Sequence, residues 1–281
     1  MDQHALLCLG PHGFYRMGFV VWPGRVGGRT IVCVHGLTRN GRDFDVLAQT
    51  LSEDATVLCP DMPGRGASDR FDLAEDYSYP TYLGAVAQLL TRYDLAEIDW
   101  VGTSMGGIVG MFLAAMPGTP IRRLVLNDVG PLITAASLKR LSEYVGADVA
   151  FPDLAALEAN FRRIAAPFGP LSDGEWHRLA ATSSRRRPDG LYVYDYDPRI
   201  ANAVRQTEPK DVDLWAIWDA IKAPTLVMRG ADSDLLRHED AVAMTERGPK
   251  ARLVELPGIG HAPALMAAEQ IALIRDFFRH G

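Results

Sequence analysis

Short apolar runs ending in glycine, proline, aspartate or asparagine recur along this chain, and helical patterns follow most of them. Residues 30–34, 56–59, 99–101, 123–126, 225–228 and 252–256 read as strands buried on both faces. Helices are predicted over residues 82–93, 105–115, 239–247 and 264–279. Strand then helix, repeated, points to a mostly parallel sheet covered by helices, an α/β fold. The opening runs at 5–9 and 15–22 flank Gly10-Pro11-His12-Gly13 and predict an antiparallel hairpin at the sheet edge.

From residue 131 to 222 the strand signal stops, and amphipathic segments at 137–144, 154–164 and 172–180 take over. We expect a helical insertion there, a cap between two stretches of core at 1–130 and 223–281. It holds Phe151, Phe161, Phe168, Trp176, Tyr192, Tyr194, Tyr196, Trp215 and Trp218, expected mainly as its own core with a few lining a pocket. Arg185-Arg186-Arg187 precedes the turn signal Pro188-Asp189-Gly190 and reads as a solvated loop.

Composition narrows the function classes. With 48% apolar and 23% charged residues in 281, the chain can bury a substantial core. Its net charge of −6 argues against nucleic acid or an anionic membrane as partner. The longest uncharged apolar stretch, 106–116, falls short of the roughly twenty residues that cross a bilayer. The N-terminus has no basic segment or long apolar run of a secretory signal, so a cytoplasmic location is expected. Cys8, Cys33 and Cys59 show no CxxC spacing, which suggests neither a disulfide framework nor a zinc site. Cys33 and Cys59 lie in apolar runs and read as buried, inert thiols.

Chemistry concentrates at the strand ends. Gly102-Thr103-Ser104-Met105-Gly106-Gly107 is a Gly-x-Ser-x-Gly pattern between a strand and a helix, where small neighbours let the backbone bend sharply and project Ser104. The helix start offers free N–H groups beside it. An oxyanion hole needs two such donors, expected from Met105 and from Leu37 in His35-Gly36-Leu37-Thr38. His35 reads as structural, because Gly258-Ile259-Gly260-His261 supplies a better-placed base before the last helix. Three carboxylates compete to orient His261. Asp234 is preferred, since Leu235-Leu236 would anchor its loop; Asp232 is second, and Asp128, after the earlier strand, third.

With these landmarks, and with Asp61-Met62-Pro63-Gly64-Arg65-Gly66-Ala67-Ser68-Asp69, the chain resembles the α/β-hydrolase superfamily over nearly its whole length. The resemblance implies an eight-stranded sheet with a helical cap after the sixth strand. It also implies an acid after the seventh strand, or in some members after the sixth. Many members have Gly-x-x-Asp there, and this chain has Ser233 at the aspartate position. A serine nucleophile disfavours the dehalogenase and epoxide-hydrolase chemistries of the superfamily, which use aspartate. The expected function is hydrolysis of a carboxylic ester or lactone of a small, moderately apolar molecule through an acyl-enzyme on Ser104. The alternatives are C–C hydrolysis of a β-diketone or ring-cleavage product, and a hydrolase-fold binding or signalling protein with little turnover. No metal or dinucleotide cofactor is implied, for lack of HExxH, clustered ligands or a GxGxxG after a strand.

Overall fold

The computed structural model describes residues 1–25, 28–205 and 210–280. Six strands come first: β1 (Asp2–Gly10), β2 (Gly13–Trp22), β3 (Arg29–Val34), β4 (Ala55–Pro60), β5 (Ile98–Thr103) and β6 (Ile121–Asn127). Between them lie α1 (Asp45–Leu51), α2 (Tyr79–Arg92) and α3 (Met105–Ala115). The chain then leaves the sheet for α4 (Ala135–Ser142), α5 (Leu154–Ile164), α6 (Asp173–Thr182) and α7 (Trp215–Ala220). Four minor strands accompany these helices: β7 (Leu132–Ile133), β8 (Ser184–Arg186), β9 (Tyr192–Tyr194) and β10 (Val212–Asp213). It returns as β11 (Thr225–Gly230), α8 (His238–Glu246), β12 (Arg252–Leu256) and α9 (Ala268–His280).

The main sheet has eight strands in the order β1-β2-β4-β3-β5-β6-β11-β12. β2 runs against both of its neighbours, and the remaining pairs are parallel. The edge hairpin is present, with Asp2 opposite Val21 and Gly10 opposite Gly13. In the central strands both faces are buried, as their unbroken apolar runs require. Val32 and Val34 of β3 join the core under α2 and α3, while Ile31 and Cys33 point to the other layer with Leu47, Ile274 and Phe277. Cys33 and Cys59 are fully buried and free. Each large side chain so covered stabilises the fold by about 1.5–3 kcal/mol.

Two helix starts differ from expectation by three residues or more. α2 begins at Tyr79, where Pro80 occupies the first turn, a position that its missing N–H suits. α9 begins four residues late, because Leu265 takes φ 57° and Asn127 Nδ2 holds the Pro263 carbonyl at 2.9 Å. Both features keep residues 263–265 in a loop.

Between β6 and β11, α5 and α6 pack around Leu157, Phe161, Trp176 and Leu179. Asp153 caps α5, and Ser172 with Glu175 forms a capping box on α6. Two expectations need correction here. Arg185 and Arg186 are not loop residues but pair with Val193 and Tyr192 in a short hairpin, and Arg185 lies 3.6 Å from Asp195. Trp218 and Tyr196 belong to the core beneath the sheet's helices, not to the insertion's own cluster. Among the described residues, no helix is long and apolar enough to cross a membrane.

Candidate active site

β5 ends at Thr103 and α3 starts at Met105, so Ser104 alone turns the chain, at φ 52° and ψ −115°. That conformation is strained for serine and persists only where the surroundings impose it. Gly102 and Gly106 show how. A Cβ on Gly106 would overlap the Val34 carbonyl, and one on Gly102 would overlap the Gly106 carbonyl. The helix start is therefore pressed against the ends of β3 and β5. Trp100 Nε1 donates to the Gly106 carbonyl at 3.1 Å, and the Ser104 N–H donates to Asn127 O at 3.1 Å.

The imidazole of His261 reaches the serine from the loop after β12, with Nε2 3.0 Å from Ser104 Oγ. Its Nδ1 donates to Asp128 Oδ2 at 2.7 Å, which leaves Nε2 as the acceptor facing the hydroxyl. Asp128 is fully buried just past β6. Its Oδ1 accepts the Gly230 N–H at 2.8 Å, and Oδ2 also accepts the Ser233 hydroxyl at 2.6 Å. Three donors thus converge on one carboxylate, as burial of such a group demands.

Asp234, the preferred partner in the sequence, is not at His261. Its side chain is 51% exposed and pairs with Arg140 Nε at 2.5 Å. The reason lies one residue earlier. Leu235 and Leu236 do anchor the loop, but in doing so they turn Ser233 inward, where its Oγ accepts both of their N–H groups at 3.2 Å. Asp234 is left facing out, and Asp232 is exposed as well. The site therefore brings together Ser104, His261 and Asp128.

The loop after β3 is fixed by His35. Burial, aided by the nearby Arg65 and Arg39 charges and opposed by its bond to Gly36, pulls the His35 pKa down to about 3. The neutral ring donates from Nδ1 to the Gly36 carbonyl at 2.7 Å and accepts the Met62 N–H on Nε2 at 2.9 Å. The Gly36 carbonyl also accepts the Arg39 N–H at 3.1 Å. Because the peptide is planar and trans, anchoring that carbonyl turns the Leu37 N–H to the opposite side. A Cβ at Gly36 would lie 3.7 Å from the Ser104 Cβ, so the loop passes close over Ser104. Met105, first in α3, has an N–H without an acceptor inside the helix.

Two residues not singled out from the sequence complete the framework. Arg65 is fully buried and donates from Nε to the Leu37 carbonyl at 2.8 Å, and from Nη1 to Pro63 O at 2.6 Å and Tyr82 Oη at 2.8 Å. Its Nη2 is 3.6 Å from Met105 Sδ, so one guanidinium touches both expected oxyanion residues. The loop carrying it is held by Asp61, whose oxygens accept the Gly41 and Ala67 N–H groups and whose pKa burial pushes up to about 6. Asn127 Nδ2 bridges Thr103 Oγ1 at 3.0 Å and the Pro263 carbonyl, linking the serine turn to the histidine loop.

Ser104 opens on two compartments. One, about 190 Å³, is apolar and includes Leu37, Ile108, Phe112, Ile133, Leu138 and Leu214. The other, about 120 Å³, includes His261, Arg39, Arg140, Tyr144, Phe161 and Phe168. Of the aromatics between β6 and β11, Tyr144, Phe161 and Phe168 are thus at the site. A larger surface cleft of about 590 Å³, between the start of β3 and α9, holds none of Ser104, His261 or Asp128.

Known proteins share this arrangement of sequence and fold. The family model described as the alpha/beta hydrolase family matches residues 31–273. The 3-hydroxybutyrate-oligomer hydrolase of Cupriavidus necator is 39% identical over 279 residues, covering 96% of this chain and 95% of that protein. Esterase Rv0045c of Mycobacterium tuberculosis is 28% identical over 80% of this chain and 74% of its own length. A crystal structure of an alpha/beta hydrolase from Novosphingobium aromaticivorans superposes with a TM-score of 0.89 at 35% identity, covering 99% of this chain and 98% of that one.

Proposed function

The chain belongs to the alpha/beta hydrolase family, and from that premise we propose that it hydrolyses a carboxylic ester of a small, moderately apolar molecule through an acyl-enzyme on Ser104. The observation that carries this reading is the unbroken relay from Asp128 through His261 to Ser104, at 2.7 and 3.0 Å. His261 Nε2 takes the Ser104 proton as Oγ attacks the ester carbonyl carbon. The Leu37 and Met105 N–H groups hold the oxyanion of the tetrahedral intermediate. Collapse expels the alcohol, which receives the proton from His261. Water then repeats the sequence on the acyl-enzyme and releases the acid. Residues 131–222 act as the cap, supplying walls to both compartments. The relatives named for oligomers of 3-hydroxybutyrate and for ester hydrolysis support a short-chain ester as substrate.

Intact-protein mass after treatment with a fluorophosphonate, with Ser104→Ala as control, followed by turnover of a p-nitrophenyl ester series, tests the reading. Stoichiometric labelling lost in the variant, with many turnovers on short acyl chains, is expected. Absence of labelling, or turnover that survives Ser104→Ala, overturns it.

A further inference from the structure

The two compartments beside Ser104 differ in charge. The apolar one is lined by no ionised side chain. The smaller one is lined by two arginines and no carboxylate, alongside Phe161, Phe168 and Tyr144. Positive charge beside apolar walls attracts an anion more strongly than it does in bulk water.

The two arginines are not equally engaged. Arg39 is committed to the protein, forking onto Asp43 through Nε at 2.8 Å and Nη2 at 2.5 Å, with its guanidinium 4.6 Å above the Phe161 ring. Arg140 pairs with Asp234 through Nε, its guanidinium also interacts with the Tyr144 hydroxyl, and its Nη2 is buried without a hydrogen-bond partner. A buried guanidinium N–H with no acceptor is costly, and an incoming oxygen removes that cost. A planar fork on a carboxylate is the geometry that guanidinium groups favour.

Resting on the reading of Ser104 as nucleophile, we propose that the smaller compartment binds a carboxylate of the substrate and that Arg140 is the residue that reads it. The substrate class is then an acyloxy acid: an ester with a short apolar group on one side and a free carboxylate a few bonds away on the other. The apolar group occupies the larger compartment, the ester carbonyl lies at Ser104, and the carboxylate meets Arg140 Nη2. Asp234 holds Arg140 from the solvent side and sets where its free edge points.

The test compares 3-acetoxybutanoate with the isosteric, neutral 3-acetoxybutanamide in the wild-type protein and in Arg140→Gln. Wild type should favour the carboxylate by at least about tenfold in kcat/KM, the range that a hydrogen bond to a charged group is worth, and Arg140→Gln should bring the two substrates to within about twofold. Equal rates on both substrates in the wild type, or an undiminished preference in the variant, overturn the proposal. Should the variant fail to fold, competitive inhibition of the wild type by butanoate but not butanamide carries the same decision. Turnover of p-nitrophenyl acetate without such discrimination sinks this proposal alone. No turnover of any ester sinks the hydrolase reading with it.

Discussion

Ser233 donates its hydroxyl to the Asp128 carboxylate at 2.6 Å, from the position where many family members carry the acid itself. The carboxylate paired with His261 stands just past β6, and the serine after β11 is its donor.

Asp128→Asn should therefore lower kcat on a neutral p-nitrophenyl ester by roughly ten-thousandfold, the cost of losing the correct imidazole tautomer. Asp234→Asn and Asp232→Asn should stay within about threefold, since exposed carboxylates and their ion pairs contribute little. Circular dichroism on each variant separates a lost relay from a lost fold. A fully active Asp128→Asn would remove Asp128 from the mechanism.

Arg65→Met removes the guanidinium that holds the Leu37 carbonyl and touches Met105. It should lower kcat by about a hundredfold, comparable to losing one oxyanion donor, with little change in KM. Arg65→Lys should not rescue it, because a point charge cannot make the three divergent bonds. A loss confined to KM would assign Arg65 to ground-state binding instead.

His35 and Asp61 oppose each other in acid. His35 stays neutral down to about pH 3 when folded, whereas an unfolded histidine takes up its proton near the usual 6.5. The unfolded state then binds more protons, so His35 withdraws up to about 1.4 kcal/mol of stability per unit as pH falls below 6.5. Asp61 is raised from 3.8 to about 6, so the folded state holds the extra proton and Asp61 adds stability as pH falls through that window. Urea midpoints at pH 7, 6, 5 and 4 should fall more steeply for Asp61→Asn than for wild type, and less steeply for His35→Gln. Parallel curves for the three proteins would contradict this balance.

Gly106→Ala places a Cβ against the Val34 carbonyl, a backbone atom that cannot move aside. The variant should lose at least about 2 kcal/mol of stability or fail to accumulate as folded protein, as strain at a required close approach does. Gly84→Ala, where an added Cβ meets nothing within 4 Å, serves as the control, read by thermal melting.

The parts legible in the sequence were those fixed by local pattern. The Ser104 turn was readable because only glycine fits at 102 and 106, and His261 because it follows the last strand in a glycine-rich loop. The helix at Met105–Ala115 matched to the residue, as β5 and the serine turn define its start. The acid was not legible in this way, since its identity depends on whether Ser233 or Asp234 turns inward, and that depends on Leu235 and Leu236 finding the core. Ser233, standing where the Gly-x-x-Asp pattern has its aspartate, is the signal that the sequence offers. Arg65 and Arg140 gave none: one is a fully buried cation satisfied by backbone carbonyls and a tyrosine, the other meets the site only through packing between distant segments.

Asp128 stands just past β6, while Gly230 ends β11 and Ser233 follows it, so one carboxylate ties together the C-terminal ends of two neighbouring strands. The segment between β6 and β11 leaves the sheet beside that tie and rejoins it at the far end of β11, before Thr225. The three hydrogen bonds that hold the carboxylate come from Gly230, Ser233 and His261, all beyond that segment. A change in the helices between β6 and β11 removes none of them.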